Sequence, residues 1–429
     1  MKLPAAALLL FATSLTAQDA SHTNPQRHAT RTMTHASYAT NFFVDTHADT
    51  TQRMLDDHYD LTEPLNGGYV NFEAAKKGDL GAEFFSIWVE PQYYEGHYVR
   101  RTLELIDAVH QAALKHPDKM MMAYSVADIE RAHREHKLAA LMGIEGGHSI
   151  ENSLGLLRDY YRLGVRYMTL TWSNSNDWAD SSGDINNPKV HHTKEGLTEF
   201  GKDVVYEMNR LGMMVDISHV SDKTFYRTLI LSRAPVIASH SSSRALTNAP
   251  RNMTDEMLRA LANNGGVADV NFYSAFVSDK WRLAWEAQKP ERDAAEKAAE
   301  EKAKAEGKPW GYSQEDAMDK EFAAKIPRPP LSDLIDHIDH MVKVAGIDHV
   351  GIGSDFDGIP SAPEGIDSAA DLPKITAALK QRGYNQADCE KIMSGNLLRV
   401  FAQVEKVSKQ LQAEEKERPK ITETQPFHK

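Results

Sequence analysis

One cysteine, Cys389, stands among 429 residues. No intrachain disulfide can form, so stability has to come from a packed core or from bound metal. Long apolar runs are also scarce. Beyond the first seventeen residues none approaches the roughly 20 residues of a membrane-spanning helix, so the mature chain is expected to be soluble. Positive charge is in deficit: 49 Lys and Arg against 61 Asp and Glu give a formal net charge of −12. That balance repels phosphates and argues against a nucleic-acid partner. The hydrophobic share, 41%, is ordinary, and the length suits one large barrel or two domains.

The chain opens with MKLPAAALLLFATSLTAQDA. A basic Lys2, an apolar stretch from Leu3 to Leu15 and the small Ala17 read as a secretory signal peptide over residues 1–17, cut near Ala17 or Ala20. No cysteine begins the mature chain, so no lipid attachment and no stable membrane anchor are expected. The expected location is outside the cytoplasm, periplasmic or secreted. Residues 18–38 are polar and read as a flexible leader.

Eight short apolar runs follow, with amphipathic helical stretches between them. They are FFVDTHAD (42–49), AEFFSIWVE (82–90), LAALMGIEGG (138–147), VRYMTLTW (165–172), MMVDISHV (213–220), PVIASHSSS (235–243), GGVADVNFY (265–273) and HVGIGSDFDG (349–358). Continuous apolar runs that end in polar residues suit parallel strands buried on both faces. Eight βα units predict an α/β fold, a (β/α)8 TIM-type barrel, with a doubly wound open sheet as the alternative. Residues 279–328 break the alternation. Their Ala, Glu and Lys without an apolar seam predict a charged helical insertion between strands seven and eight. It reads as a surface excursion, or else as a segment that overhangs the active site or touches a partner subunit. Residues 408–429 form a charged tail, expected to fray.

Function in such barrels sits at the C-terminal ends of the strands. Those ends carry His47 and Asp49 on the first, Glu145 on the third, His219 on the fifth, His240 on the sixth and Asp355 on the eighth. Any one of them could be a satisfied buried polar group. Six together, packed without partners, would cost several kcal/mol in desolvation, and a metal centre removes that cost. Imidazole and carboxylate without thiolate suit Zn2+, with Mn2+ or Fe2+ as alternatives. The number of ligands points to two ions. Glu145 can bridge them through its two oxygens, with His47 and Asp49 completing one site and His219 and His240 the other. Water held between two cations becomes a nucleophile near neutral pH. Asp355 could hold it and shuttle its proton.

The segments VDTHADT, GIEGGHSI, GVRYMTLTWSN, GLTEFGKDVVYEMNRLGMMVDISHVS, ASHSSSRALTNAPRNMTDEML, VNFY, GIGSDFDG and GNLLRVF together resemble the membrane (renal) dipeptidase family, zinc metallodipeptidases of the amidohydrolase-type barrel superfamily. They run from about residue 42 to residue 404. The resemblance implies a catalytic barrel over residues 39–407, two Zn2+ per chain, no nucleotide, and a homodimer. It implies hydrolysis of dipeptides by a metal-bridging hydroxide, with a D-residue tolerated at the C-terminal position. By motif, His47 and Asp49 hold the first zinc, Glu145 bridges, and His219 and His240 hold the second. Asp355 is the acid/base, and Arg251 pairs with the substrate's free carboxylate. Trp172 departs from the pattern, because vertebrate members carry a histidine there for the developing oxyanion. That help could come from Trp172, from Asn174 or Asn176, or from zinc. The insertion is a second departure, and the tail lacks the hydrophobic signal for a lipid tether. Two readings compete with the dipeptidase: an amidohydrolase acting on N-acyl amino acids or lactones, and a metal-binding barrel without catalysis.

Overall fold

The computed structural model describes residues 41–308, 310–414 and 421–426. The expected signal peptide and leader lie outside them. Eight parallel strands follow one another around a ring: β1 (Phe43–Ala48), β2 (Leu80–Trp88), β3 (Leu138–Glu145), β4 (Val165–Thr169), β5 (Met214–Asp216), β6 (Ile237–Ala238), β7 (Val267–Val270) and β8 (Val350–Ile352). A three-residue strand, Met120–Met122, pairs with β3 outside the ring. The ring closes where Ala48 bridges Phe356, with Asp49 N–H donating to the Phe356 carbonyl at 2.7 Å and Asp355 N–H to that of His47 at 3.0 Å. The architecture is the (β/α)8 barrel expected of alternating buried strands and helices.

Alternation along each strand sorts the side chains into two layers. On β3, Leu138, Ala140, Met142 and Ile144 join the outer core against the helices, while Ala139 and Leu141 belong to an inner cluster. By the same alternation Gly143 and Glu145 face the axis. Pairing then sets the levels. Trp88 lies beside Glu145, Glu145 beside Thr169 and Thr169 beside Asp216. One step below, Gly143 lies beside Tyr167. A Cβ on Gly143 would stand 1.9 Å from the Tyr167 ring, so this glycine makes room for the phenol under the mouth. The C-terminal helix, Asn396–Ala413, shares the inner cluster through Leu397, Leu398, Val400, Phe401 and Val404.

The insertion between β7 and β8 consists of α1 (Asp279–Ala287), α2 (Lys289–Glu306) and α3 (Tyr312–Ala323). No residue of α2 is buried, as its charged sequence predicts. The other two helices are not a bare excursion. Trp281 stacks on Trp285 at 5.2 Å and joins Ala275, Phe322, Ala323 and Ile326 in a separate small core. α3 returns to the barrel mouth, where Ser313 donates to Asp57 at 2.6 Å and Lys320 to the Gly67 carbonyl at 3.1 Å. The described part of the tail is also tied down. Leu154 N–H donates to the Glu423 carbonyl, and the Glu423 carboxylate takes Arg158 at 2.7 Å. That ion pair, with the Gln425 side chain on the Asp177 carbonyl at 2.6 Å, offsets the fraying expected from charge alone. Among the described residues no helix is long and apolar enough to cross a membrane.

Candidate metal centre and active site

Six side chains from five strand ends meet at the mouth. Glu145 divides its two oxygens between them. Oε2 lies 3.3 Å from His47 Nε2, while Oε1 lies 2.8 Å from His219 Nε2 and 3.5 Å from His240 Nε2. His47 Nε2 is also 3.5 Å from Asp49 Oδ2 and 4.0 Å from Asp355 Oδ1. The two histidine groups abut, with the His219 and His240 Nε2 atoms 2.9 Å apart. Donor atoms of His47, Glu145 and His240, and again of His47, Asp49 and Asp355, lie within 4.8 Å of one another. His219 and Asp355 hold left-handed backbones, φ 66° and 64°. Such conformations cost on the order of 1–3 kcal/mol and persist where the surroundings impose them.

The outer nitrogen of each imidazole meets a hydroxyl. Tyr167 donates to the Thr46 carbonyl at 3.0 Å and so accepts from His47 Nδ1–H at 2.7 Å. Ser239 donates to Asp216 at 2.6 Å and accepts from His240 Nδ1–H at 2.8 Å. Ser173 stands 3.4 Å from His219 Nδ1. These tautomers turn bare Nε2 lone pairs inward, toward carboxylate oxygens. His47 Nε2 and Asp49 Oδ1 are buried without a hydrogen-bond partner. Lone pairs facing lone pairs in a buried space repel unless a cation sits among them, so the residues present fit a metal. The nitrogen and oxygen donor set suits zinc and its divalent neighbours.

Electrostatics agree with the geometry. Burial, reinforced by Arg251 and His47, pushes His219 and His240 well below the ordinary imidazole value, which keeps both neutral. Burial opposes a charge on His47 too, but Tyr167, Glu145 and Asp49 lift it well above that value, so positive charge is favoured at that point. Burial also lifts Glu145 to about 7 and raises Asp355. Asn271 donates to Asp355 Oδ2 at 2.8 Å, fixing one oxygen and leaving Oδ1 toward His47.

Of these groups Asp49, Glu145, His219 and Asp355 line one cavity of about 220 Å3, together with Trp88, Trp172, Ser173, Arg251, Tyr273, Phe276 and Tyr312. That is below the roughly 300–1,000 Å3 of pockets that take drug-sized ligands. Arg251 donates to the His240 carbonyl at 3.3 Å and lies 5.5 Å from the centre of the Phe276 ring, while its Nε has no partner. Burial lowers its pKa only to about 10, so it stays charged. Trp172 lies in the wall, 5.0 Å from Trp88 and 6.2 Å from His219 between ring centres. Asn174 does not line the cavity; its neighbour Ser173 does. Asn176 is committed elsewhere, donating to the Leu170 carbonyl and accepting from the N–H groups of Trp178 and Ala179. Tyr167, Asp216, Ser239 and Asn271 went unread in the sequence. Their signal is a polar residue inside an otherwise apolar strand, visible in VRYMT and MVDIS.

Residues 32–415 match the family described as membrane dipeptidase, peptidase family M19. A dipeptidase of Claviceps purpurea is 35% identical over 363 residues, covering 83% of this chain and 73% of that protein. Dipeptidase 3 of Homo sapiens is 32% identical over 376 residues, covering 86% and 67%. Among solved structures, a probable dipeptidase from Pseudomonas aeruginosa superposes with a TM-score of 0.67 at 26% identity, over 80% of this chain and 91% of that one. A metallopeptidase from Rhodobacter sphaeroides, liganded with a phosphinate mimic of L-Ala-D-Ala, gives 0.68 at 24%, over 85% and 99%. At that identity it bears on the fold alone.

Proposed function

This chain belongs to the membrane dipeptidase family, and on that premise we propose a dinuclear zinc enzyme that hydrolyses dipeptides bearing a free C-terminal carboxylate, with either configuration at the C-terminal residue. A hydrolytic metallodipeptidase is what the family match and the curated relatives support. The observation that carries the finer reading is the joining, in one cavity, of Asp49, Glu145, His219 and Asp355 with the half-buried Arg251, whose Nε has no partner.

In this reading His47 and Asp49 would hold one ion and His219 and His240 the other, with Glu145 a ligand to both. Bound there, the ions would supply a nucleophile from water at neutral pH and would polarise the scissile carbonyl. The chain's own residues do the rest. Arg251 grips the substrate carboxylate through two parallel hydrogen bonds and sets the peptide's register. Asp355, steadied by Asn271, accepts the proton released by the attacking water and delivers it to the leaving amine. Trp172 excludes water beside the carbonyl and offers one indole N–H as a donor. Tyr167 and Ser239 keep the imidazoles in the tautomer that leaves Nε2 free. Export, read from the N-terminal sequence, and a homodimer, read from the resemblance, complete the proposal.

The test is turnover of L-Ala-L-Ala, L-Ala-D-Ala, the C-terminal amide of L-Ala-L-Ala, and N-acetyl-alanine, before and after chelation, with elemental analysis of the protein. Chelator-sensitive hydrolysis of both free dipeptides, and about two zinc per chain, are expected. Faster turnover of N-acetyl-alanine than of any dipeptide would overturn the reading.

A further inference from the structure

The insertion reaches the site through one residue. Tyr312, the first residue of α3, lines the same cavity as Asp49, Glu145 and Arg251. Its hydroxyl donates to the backbone carbonyl of Asp357. That carbonyl belongs to a rigid turn. The Asp357 carboxylate accepts from Thr50 at 2.6 Å and from Tyr69 N–H at 2.9 Å, and its left-handed backbone, φ 62°, fixes the direction of the chain. Ser313 and Lys320 pin the same helix to loops beside the mouth. The Tyr312 ring therefore occupies a set place although it rides on an insertion.

That place faces Trp88. The two rings meet edge to face at 5.8 Å, and Trp88 meets Trp172 at 5.0 Å, giving three aromatic side chains in one continuous wall. Trp88 ends β2, whereas Arg251 follows β6. In a ring ordered β1 to β8 these strands are four places apart, on opposite sides of the mouth. A dipeptide whose carboxylate meets Arg251 turns its other end away from that residue, across the metal ligands and toward β2.

We infer that Tyr312, with Trp88 and Trp172, forms the subsite for the side chain of the substrate's N-terminal residue and selects apolar and aromatic residues there. The inference rests on the dipeptidase reading. The wall suits such side chains because its surface is π-face and ring edge, with the Tyr312 hydroxyl turned away into its hydrogen bond. A charged side chain would lose water there without gaining a partner. The insertion thus tunes specificity, and the part of its sequence that reads as surface, α2, is the arm that carries α3 back.

The experiment compares kcat/KM of the zinc-loaded wild type, Tyr312→Phe and Tyr312→Ala on two panels. One varies the first residue (Gly-Ala, Leu-Ala, Phe-Ala) and the other the second (Ala-Gly, Ala-Leu, Ala-Phe). Gly-Ala has no first side chain, so its turnover reports the intact centre and cancels partial loss of folded protein. The wild type should favour Leu-Ala and Phe-Ala over Gly-Ala. Tyr312→Ala should cut both ratios by about tenfold, the scale on which apolar pockets discriminate. Tyr312→Phe, which keeps the ring, should cut them less. Ratios within the second panel should stay put. Unmoved first-panel ratios in Tyr312→Ala, or a shift confined to the second panel, would overturn the inference while leaving the dipeptidase reading intact. A wild type inert on all six dipeptides would overturn the dipeptidase reading and this inference with it.

Discussion

Replacing Tyr167 with Phe removes one oxygen from beneath the centre and nothing else. The ring is fully buried, and its fit over Gly143 and against Phe84, 5.3 Å between ring centres, does not depend on the hydroxyl. Two partners are lost: the Thr46 carbonyl loses its donor and His47 Nδ1–H its acceptor. Each buried group left without a partner costs about 1–3 kcal/mol. The imidazole can answer by moving its proton to Nε2, the atom that metal binding needs. Loss of such an outer partner typically weakens metal binding by about 10–100-fold, or roughly 1.4–2.7 kcal/mol at 1.36 kcal/mol per factor of ten. Zinc affinity would be measured by competition with a chromophoric chelator at neutral pH. Tyr160→Phe is the control. Its hydroxyl, also buried, serves the Ser149 carbonyl at 2.9 Å from a helix outside the barrel. The control should lose stability and keep its zinc. Equal zinc affinity in wild type and Tyr167→Phe, or an equal fall in both variants, would refute the reasoning.

Asp355→Asn should keep zinc largely bound and lower kcat by roughly 10²-fold or more, the usual scale for losing general acid–base help; near-normal kcat would remove the proton-transfer role. Arg251→Ala should raise KM strongly, since truncating one partner of a buried charge pair costs about 2–5 kcal/mol, and should erase the preference for a free dipeptide over its amide. Equal wild-type activity on a dipeptide, its amide and the matching tripeptide would show that Arg251 does not set substrate length. His337 gives a pH signature away from the centre. Burial lowers it from 6.5 to about 4, its Nδ1 accepting from Ser243 N–H at 3.0 Å and its Nε2–H donating to the Val277 carbonyl at 3.1 Å. The unfolded chain takes up this proton first, so the His337 contribution falls as pH drops from about 6.5 to about 4, by up to roughly 3 kcal/mol. The urea-unfolding advantage of wild type over His337→Asn should narrow across that window and stay flat above pH 7.

The barrel was legible because each of its strands is a short apolar run that stops at polar residues, and because the metal-type residues fall at those stops. His219 in DISHVS gained its meaning from the other five residues at strand ends, and the structure places it three residues past a buried strand (219 − 216). What lies behind the ligands was harder to read. Tyr167 and Asp216 are inward residues of β4 and β5, but which imidazole each one serves depends on strand register and on a gap made by Gly143 on a third strand. The Asn174 expectation turned on a loop. Ser175 binds Asp184 through both its N–H and its hydroxyl at 2.6 Å, and with the loop pinned there Ser173, not Asn174, lines the cavity. Tyr312 was hidden by composition. Its helix has few apolar residues, and only the fold brings that end over the mouth.

Charge balance connects the ligand set to the demand for a free carboxylate. Asp49, Glu145 and Asp355 bring three formal negative charges and Arg251 one positive, leaving two negative around the cavity. Two dications would overshoot to two positive. His219 and His240 cannot adjust the sum, because burial keeps both neutral, and His47 would give up its extra proton to bind an ion. The excess therefore suits a deprotonated water and the substrate's carboxylate, each of which brings a negative charge to the ions, while the substrate's N-terminal amine adds a positive charge when protonated. A C-terminal amide supplies neither the second charge nor a partner for Arg251, so it is penalised twice, once by the whole site and once by a single guanidinium.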